Sequence, residues 1–307
     1  MKTAVTLHAA PRPTAHRPAA TRTGASALPD LGTLVPWRAW LHHPALRTGS
    51  VAVVLALVVV PPLGLRLADR DLDTAVVLFA AYFAAAWWLL LRTVLRPVSP
   101  GAAVTTGLVL LALFIQVPIA VLLERLLDAD TENLFAGILG VGLPEEFVKA
   151  LPVAAVVLAL RSRGRMLEPR DVLFLGVISG IVFGAAEAVH YVLDVPSEPL
   201  TTVWRLVANP AIHGAWAGIA AFFLGLAVCR DPAQWAPLAG LGLAIAAVLH
   251  GVSNWLVGSW AWVAVAGVSA LLLLAYSTVG VPAVSAAAVD PPTGPIAFRG
   301  PDGRWWA

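Results

Sequence analysis

Apolar residues run along this chain in blocks, separated by short polar stretches. The blocks fall at about 48–67, 74–91, 101–123, 133–160, 172–193, 210–228, 236–257 and 260–282, most of them near the ~20 apolar residues that carry a helix across a bilayer. In lipid a crossing segment must satisfy its own backbone hydrogen bonds, which a helix does alone. The pattern predicts an all-α, polytopic transmembrane helical bundle of about eight transmembrane helices. The fourth block is over-long and is interrupted by Gly140, Gly142 and Pro144. Residues 1–45 are rich in Ala, Pro, Thr and Arg, without apolar periodicity. They are expected to be a disordered cytoplasmic segment with no apolar stretch like that of a cleavable signal peptide. Residues 46–284 make the membrane domain, and the Pro- and Gly-rich stretch 285–307 is expected to be a disordered tail.

Composition agrees with this class. Hydrophobic residues make up 59% of the chain and charged residues 12%, against about 25% charged in soluble proteins. The mean hydropathy is +0.82. Nothing in the charge pattern calls for a nucleic-acid partner. A single cysteine, Cys229, excludes an internal disulfide and a CxxC metal site. Arginines orient the chain. Arg12, Arg17, Arg22, Arg38 and Arg47 precede the first block, Arg92 and Arg96 follow the second, and Arg161, Arg163, Arg165 and Arg170 follow the fourth. With eight spans these share one side, so both termini are expected to be cytoplasmic in a multi-pass cell-membrane protein. Glu124, Asp128, Asp130 and Glu132 fall on the other side, as do Asp194 and Glu198.

Charges inside the blocks point to chemistry. Glu145, Glu146 and Lys149 lie within the fourth block, and each charge at membrane depth costs roughly 3 kcal/mol by insertion scales. Glu187 lies late in the fifth block, with His190 three residues on. His213 is read as opening the sixth, with Asn209 and Pro210 as its N-cap and first turn. His250 and Asn254 share a face of the seventh at i and i+4. Counting helical rise from the outer ends puts Glu187 roughly 9 Å in, His213 roughly 5 Å and His250 roughly 11 Å. Polar groups of four helices are thereby expected to converge on the extracytoplasmic side. Gly176, Gly180 and Gly184 form a small-residue stripe that would press the fifth helix into the bundle and carry Glu187 inward.

These residues resemble the motifs of the PrsW family of intramembrane proteases and, more distantly, the CAAX prenyl endopeptidase and Abi superfamily. EExxK stands as Glu145, Glu146 and Lys149. An aromatic followed by Glu in a Gly/Ala-rich helix stands as Phe183 and Glu187, with Tyr191 following. An Arg upstream of a His stands as Arg205 and His213, and HGxxN as His250, Gly251 and Asn254. The resemblance covers residues from about 75 to 280, with Ala188 where many relatives carry Asn. It implies an intramembrane peptidase acting on a membrane-protein substrate, such as a single-pass anti-sigma factor.

Peptide hydrolysis in a membrane needs a base, an oxyanion partner and an acid for the leaving amine. Glu145 is the expected water-activating base, Glu146 and Lys149 set its charge, and His213, His250 and Asn254 stabilise the transition state. Glu187 completes the polar ring. A metal version stays open beside a preferred metal-free glutamate version: Glu145, Glu187, His213 and His250 are ligand types that Zn²⁺ accepts. HExxH, GxSG and GxGD are all absent, which excludes zincin, rhomboid and aspartyl mechanisms. The rival function is a proton- or ion-coupled transporter, since relays use the same buried Glu and His residues.

Overall fold

The computed structural model describes residues 66–68, 70–97, 101–127, 133–163, 167–194, 199–228, 235–277, 298–299 and 305–306. Nearly all of the first apolar block and residues 1–45 lie outside these, as does most of the stretch 285–307. The described residues are overwhelmingly helical. Helices are α1 (Leu72–Leu95), α2 (Ala102–Leu126), α3 (Leu143–Ser162), α4 (Pro169–Asp194), α5 (Pro199–Val228), α6 (Trp235–Trp255) and α7 (Trp260–Ala275). Phe298–Arg299 and Trp305–Trp306 form a two-residue antiparallel pair. Five of the helices, α1, α2, α4, α5 and α6, are long and apolar enough to cross a membrane. The count of eight is therefore approximate.

Local chemistry sets several helix ends. Asp71 caps α1, accepting from the Thr74 N–H at 3.1 Å and from its hydroxyl at 2.6 Å, which holds the exposed carboxyl below the usual carboxylate range. Before α3, Asn133 accepts from the backbone N–H groups of Phe135 and Ala136. The chain then runs through a widened π turn, Gly137–Gly142, directly into α3. The Gly-Pro segment thus swells the helix without breaking it. Gly142 lies against the backbone of α6, where an added Cβ would stand 2.5 Å from the Ala247 carbonyl oxygen. Only glycine permits that approach, and it sets Glu145 and Glu146 one turn further on beside α6.

Burial sorts the bundle into a centre and a shell. About four-fifths of the apolar windows of α4 and α5 are buried (78% and 83%), against 28% for α1 and 22% for α2. Helices α4 and α5 are therefore the central pair, with outer helices turning apolar faces such as Phe114 and Leu89 outward as lipid would require. The glycine stripe makes the central contact. Gly176 faces Ala217 and Ala221, Gly180 faces the backbone of His213, and Gly184 faces Asn209. The core beneath includes Leu173, Val177, Ile181, Ile219 and Phe222. Arg170 donates to the Arg96 carbonyl at 3.4 Å, which brings two of the arginine-bearing turns together at one end.

One boundary differs from expectation. The sixth apolar block begins not at Asn209 but at Pro199, so Asn209 and Pro210 sit inside α5 and cap nothing. A proline N–H is missing wherever it stands, but in a packed membrane helix neighbours meet the freed carbonyls. Close to Pro210, Trp87 Nε1 also donates to the Val207 carbonyl at 2.7 Å, which ties this stretch of α5 to α1. His213 is consequently fourteen residues into its helix, a rise of roughly 21 Å, instead of the shallow position read from sequence.

Candidate active site

Helix α3 carries its charges on one face because Glu145, Glu146 and Lys149 stand at i, i+1 and i+4. All three are buried. Lys149 is fully enclosed, with Nζ 3.0 Å from Glu145 Oε2, 2.7 Å from Glu146 Oε1 and 2.8 Å from His213 Nδ1. An ammonium has three N–H donors, and three acceptors surround this one. It also lies 4.2 Å from the centre of the Phe183 ring. The lysine balances the charge of the two carboxylates.

The histidines come from α5 and α6. His250 is completely buried, and its Nδ1 lies 2.9 Å from Glu146 Oε1. With Nδ1 donating to that carboxylate, the lone pair falls on Nε2, which has no hydrogen-bond partner among the described residues and faces Glu145 Oε2 at 3.7 Å. His213 is engaged on both sides, by Lys149 at Nδ1 and by Glu187 Oε2 at 2.8 Å from Nε2. Its Nδ1 is 3.8 Å from Glu145 Oε2. Aromatic rings fix both imidazoles: Trp216 stacks on His250 at 4.4 Å and Phe183 on His213 at 5.7 Å. Trp216 is tied to α7 by a 2.9 Å bond from Nε1 to Ser269 Oγ.

A cavity of about 760 Å³ opens in front of this cluster. Glu187, His213 and Asn254 line it, as do Arg205 and Tyr191. Glu145, Glu146, Lys149 and His250 do not, so they lie behind His213 as an inner layer. The structure brings all seven sequence-selected residues to one region: Glu145, Glu146, Lys149, Glu187, His213 and His250 through direct short contacts, Asn254 through the cavity wall. His190 turns away and pairs with Asp194 at 2.6 Å on the exposed end of α4.

Sequence reasoning overlooked three contributors. Trp216 is the ring against His250, and its place three residues after His213 was the available signal. Gln116 and Ser179 gave no signal. Gln116 Nε2 donates to Ser179 Oγ at 2.7 Å, and Ser179 Oγ donates to the Lys149 carbonyl at 2.8 Å. The same amide lies 3.4 Å from the Val148 carbonyl, which has lost its helical donor to Pro152. Gln116 ends a π turn in α2, a distortion often found at functional sites.

The residues fit a divalent ion. Glu145, His213 and His250 offer one carboxylate oxygen and two imidazole nitrogens within 4.8 Å of one another. Zn²⁺ takes that donor set with bonds near 2.0–2.1 Å. His250 is already arranged as a ligand, its far nitrogen held by a carboxylate and its near nitrogen unpartnered. His213 would exchange one of its two present contacts. Glu187 falls outside that group of three.

A family model described as PrsW family intramembrane metalloprotease matches residues 85–286, two-thirds of the chain. No curated protein and no solved structure matches.

Proposed function

The chain belongs to the PrsW family of intramembrane metalloproteases, and on that premise we propose how its buried cluster cuts a peptide bond. The protein is a multi-pass membrane peptidase. Its proposed substrate is a single-pass membrane protein such as an anti-sigma factor, cut toward the extracytoplasmic side. Both termini are proposed to be cytoplasmic.

In this reading Glu145 acts on the attacking water. Its Oε2 is the point on which His213 and His250 both converge, at 3.8 and 3.7 Å, leaving a gap into which a small molecule can be drawn. Lys149 balances the carboxylate charge, so Glu145 can be ionised in a buried place and accept a proton. Glu146 orients His250 through Nδ1 and does not meet substrate. The scissile carbonyl arrives from the cavity, where Asn254 offers its side-chain amide to the developing oxyanion. Glu187, paired with His213 Nε2, passes a proton to the leaving amine. Glu145, His213 and His250 would hold the ion implied by the family, with Zn²⁺ as the proposed identity. When bound, it supplies Lewis-acid polarisation and a more acidic water.

The observation that carries this reading is the unpartnered Nε2 of His250, buried and facing Glu145. Orphaned buried polar atoms are rare in packed proteins. The test is cleavage of single-pass substrates in proteoliposomes. Glu145→Gln is expected to lower the rate by more than 10²-fold while leaving a folded, monodisperse protein. Cutting at the wild-type rate by Glu145→Gln overturns the assignment. Proton flux without any cleavage favours the transporter.

A further inference from the structure

One wall of the cavity carries, beside His213, two polar side chains that the hydrolytic steps leave idle, Arg205 and Asn209. Arg205, Asn209 and His213 stand at i, i+4 and i+8 on α5, and all three line the cavity. Trp204, Trp216, Trp260 and Trp262 surround the stripe, with Trp204 and Trp262 in edge contact at 5.2 Å. The Arg205 guanidinium lies 4.1 Å from the centre of the Tyr191 ring. It forms no ion pair among the described residues; Glu187, the acid that shares the cavity, pairs with His213. A guanidinium held over an aromatic ring keeps its five N–H donors in a fork that matches a carboxylate. The Asn209 side chain also lines the cavity, while its backbone carbonyl packs against Gly184.

We infer that this stripe reads the substrate. An extended peptide lies along α5 with its backbone against Asn209, and Arg205 receives the carboxylate of an Asp or Glu side chain. The spacing fixes where that acid falls. Eight helical residues separate Arg205 from His213, about 12 Å at 1.5 Å each. Extended chain advances about 3.3 Å per residue, so the acid stands about three to four residues from the scissile bond. The tryptophan walls select apolar neighbours around it. This rests on the proteolytic reading above, because it takes the cut to occur beside His213. Arg205 is thereby a specificity-determining residue, one that binds away from the reacting atoms.

The test uses the full-length protein in detergent and a synthetic library of apolar peptides, each carrying one Asp, Ser or Lys at a varied position. Mass spectrometry reads the cut sites, and competition gives relative kcat/KM. Asp about three to four residues from the cut is expected to be preferred over Ser by about tenfold. Arg205→Lys keeps that preference, Arg205→Ala levels it, and Arg205→Glu moves it to Lys. A wild-type protein that ignores the acid overturns the inference, as does an Asp preference that survives Arg205→Ala. A rate that follows added phosphatidylglycerol through Arg205, with Asp and Ser peptides cut alike, assigns the arginine to lipid and overturns it too. In these cases Ser peptides are still cut and Glu145→Gln abolishes cutting, so the protease reading stands. If no peptide is cut by the wild type, the protease reading itself falls.

Discussion

Replacing Gly180 by alanine tests whether the close approach of α4 and α5 sets the position of His213. An alanine Cβ there would lie 2.5 Å from the His213 carbonyl carbon, nearer still to its oxygen, and 2.8 Å from the Ala217 Cβ. These are backbone and Cβ atoms, so no rotamer change relieves them. Carbon atoms settle at about 3.5–4.0 Å, so the two helices must part by about 1 Å at this level. The contacts from His213 to Lys149 and Glu187 are both 2.8 Å. Lengthened by about 1 Å, the Lys149 contact leaves hydrogen-bonding range and the Glu187 carboxylate no longer lies close against the ring. A misplacement of that size costs roughly 10²-fold in rate, and overpacking costs about 1–3 kcal/mol in stability. The assay is initial-rate cleavage in proteoliposomes, with the detergent melting temperature as the stability measure. Gly180→Ala is expected to lose about 10²-fold in kcat with a lowered melting temperature. Gly107→Ala, where an added Cβ meets nothing within 4 Å, is expected to match the wild type. A wild-type rate in Gly180→Ala refutes the claim that this helix contact positions His213.

Lys149→Met leaves two buried carboxylates without their cation, and is expected to destabilise the protein by about 3–5 kcal/mol. Adding Glu146→Gln to that variant is expected to restore part of the melting temperature; a fully stable single variant contradicts the charge-balancing role. A strong chelator such as 1,10-phenanthroline is expected to abolish cleavage, and Zn²⁺ to restore it. In elemental analysis His250→Ala is expected to lose bound metal along with Glu145→Gln, and metal retained by both variants contradicts the three-residue site.

The membrane bundle and the cluster were legible because their signals are strong in one dimension. Charges cannot sit in an apolar block without a partner, which marks Glu145, Glu146, Lys149 and Glu187. The stripe Gly176, Gly180 and Gly184 is periodic on a helix, and it does make the α4–α5 contact. What the chain hid depends on neighbours far away in sequence. Pro210 reads as a helix start by its missing N–H, yet packing lets α5 run through it from Pro199. Trp216 looks like any membrane tryptophan until His250, thirty-four residues on, is found beneath it. Gln116 and Ser179 are single polar residues in apolar runs, and only their meeting at the Lys149 carbonyl gives them a part. Glu145 and Glu146 are neighbours with one sequence signature, but they part company in space. Glu146 turns to His250 Nδ1, while Glu145 turns to the gap between the two histidines.

The central claim, that this cluster cuts membrane proteins through Glu145, is met most directly by comparing membrane fractions from cells that carry the wild-type protein and cells that carry Glu145→Gln at equal levels. New protein termini within or beside single-pass helices, read by mass spectrometry, are expected with the wild type and absent with Glu145→Gln. The same termini in both populations would contradict the account.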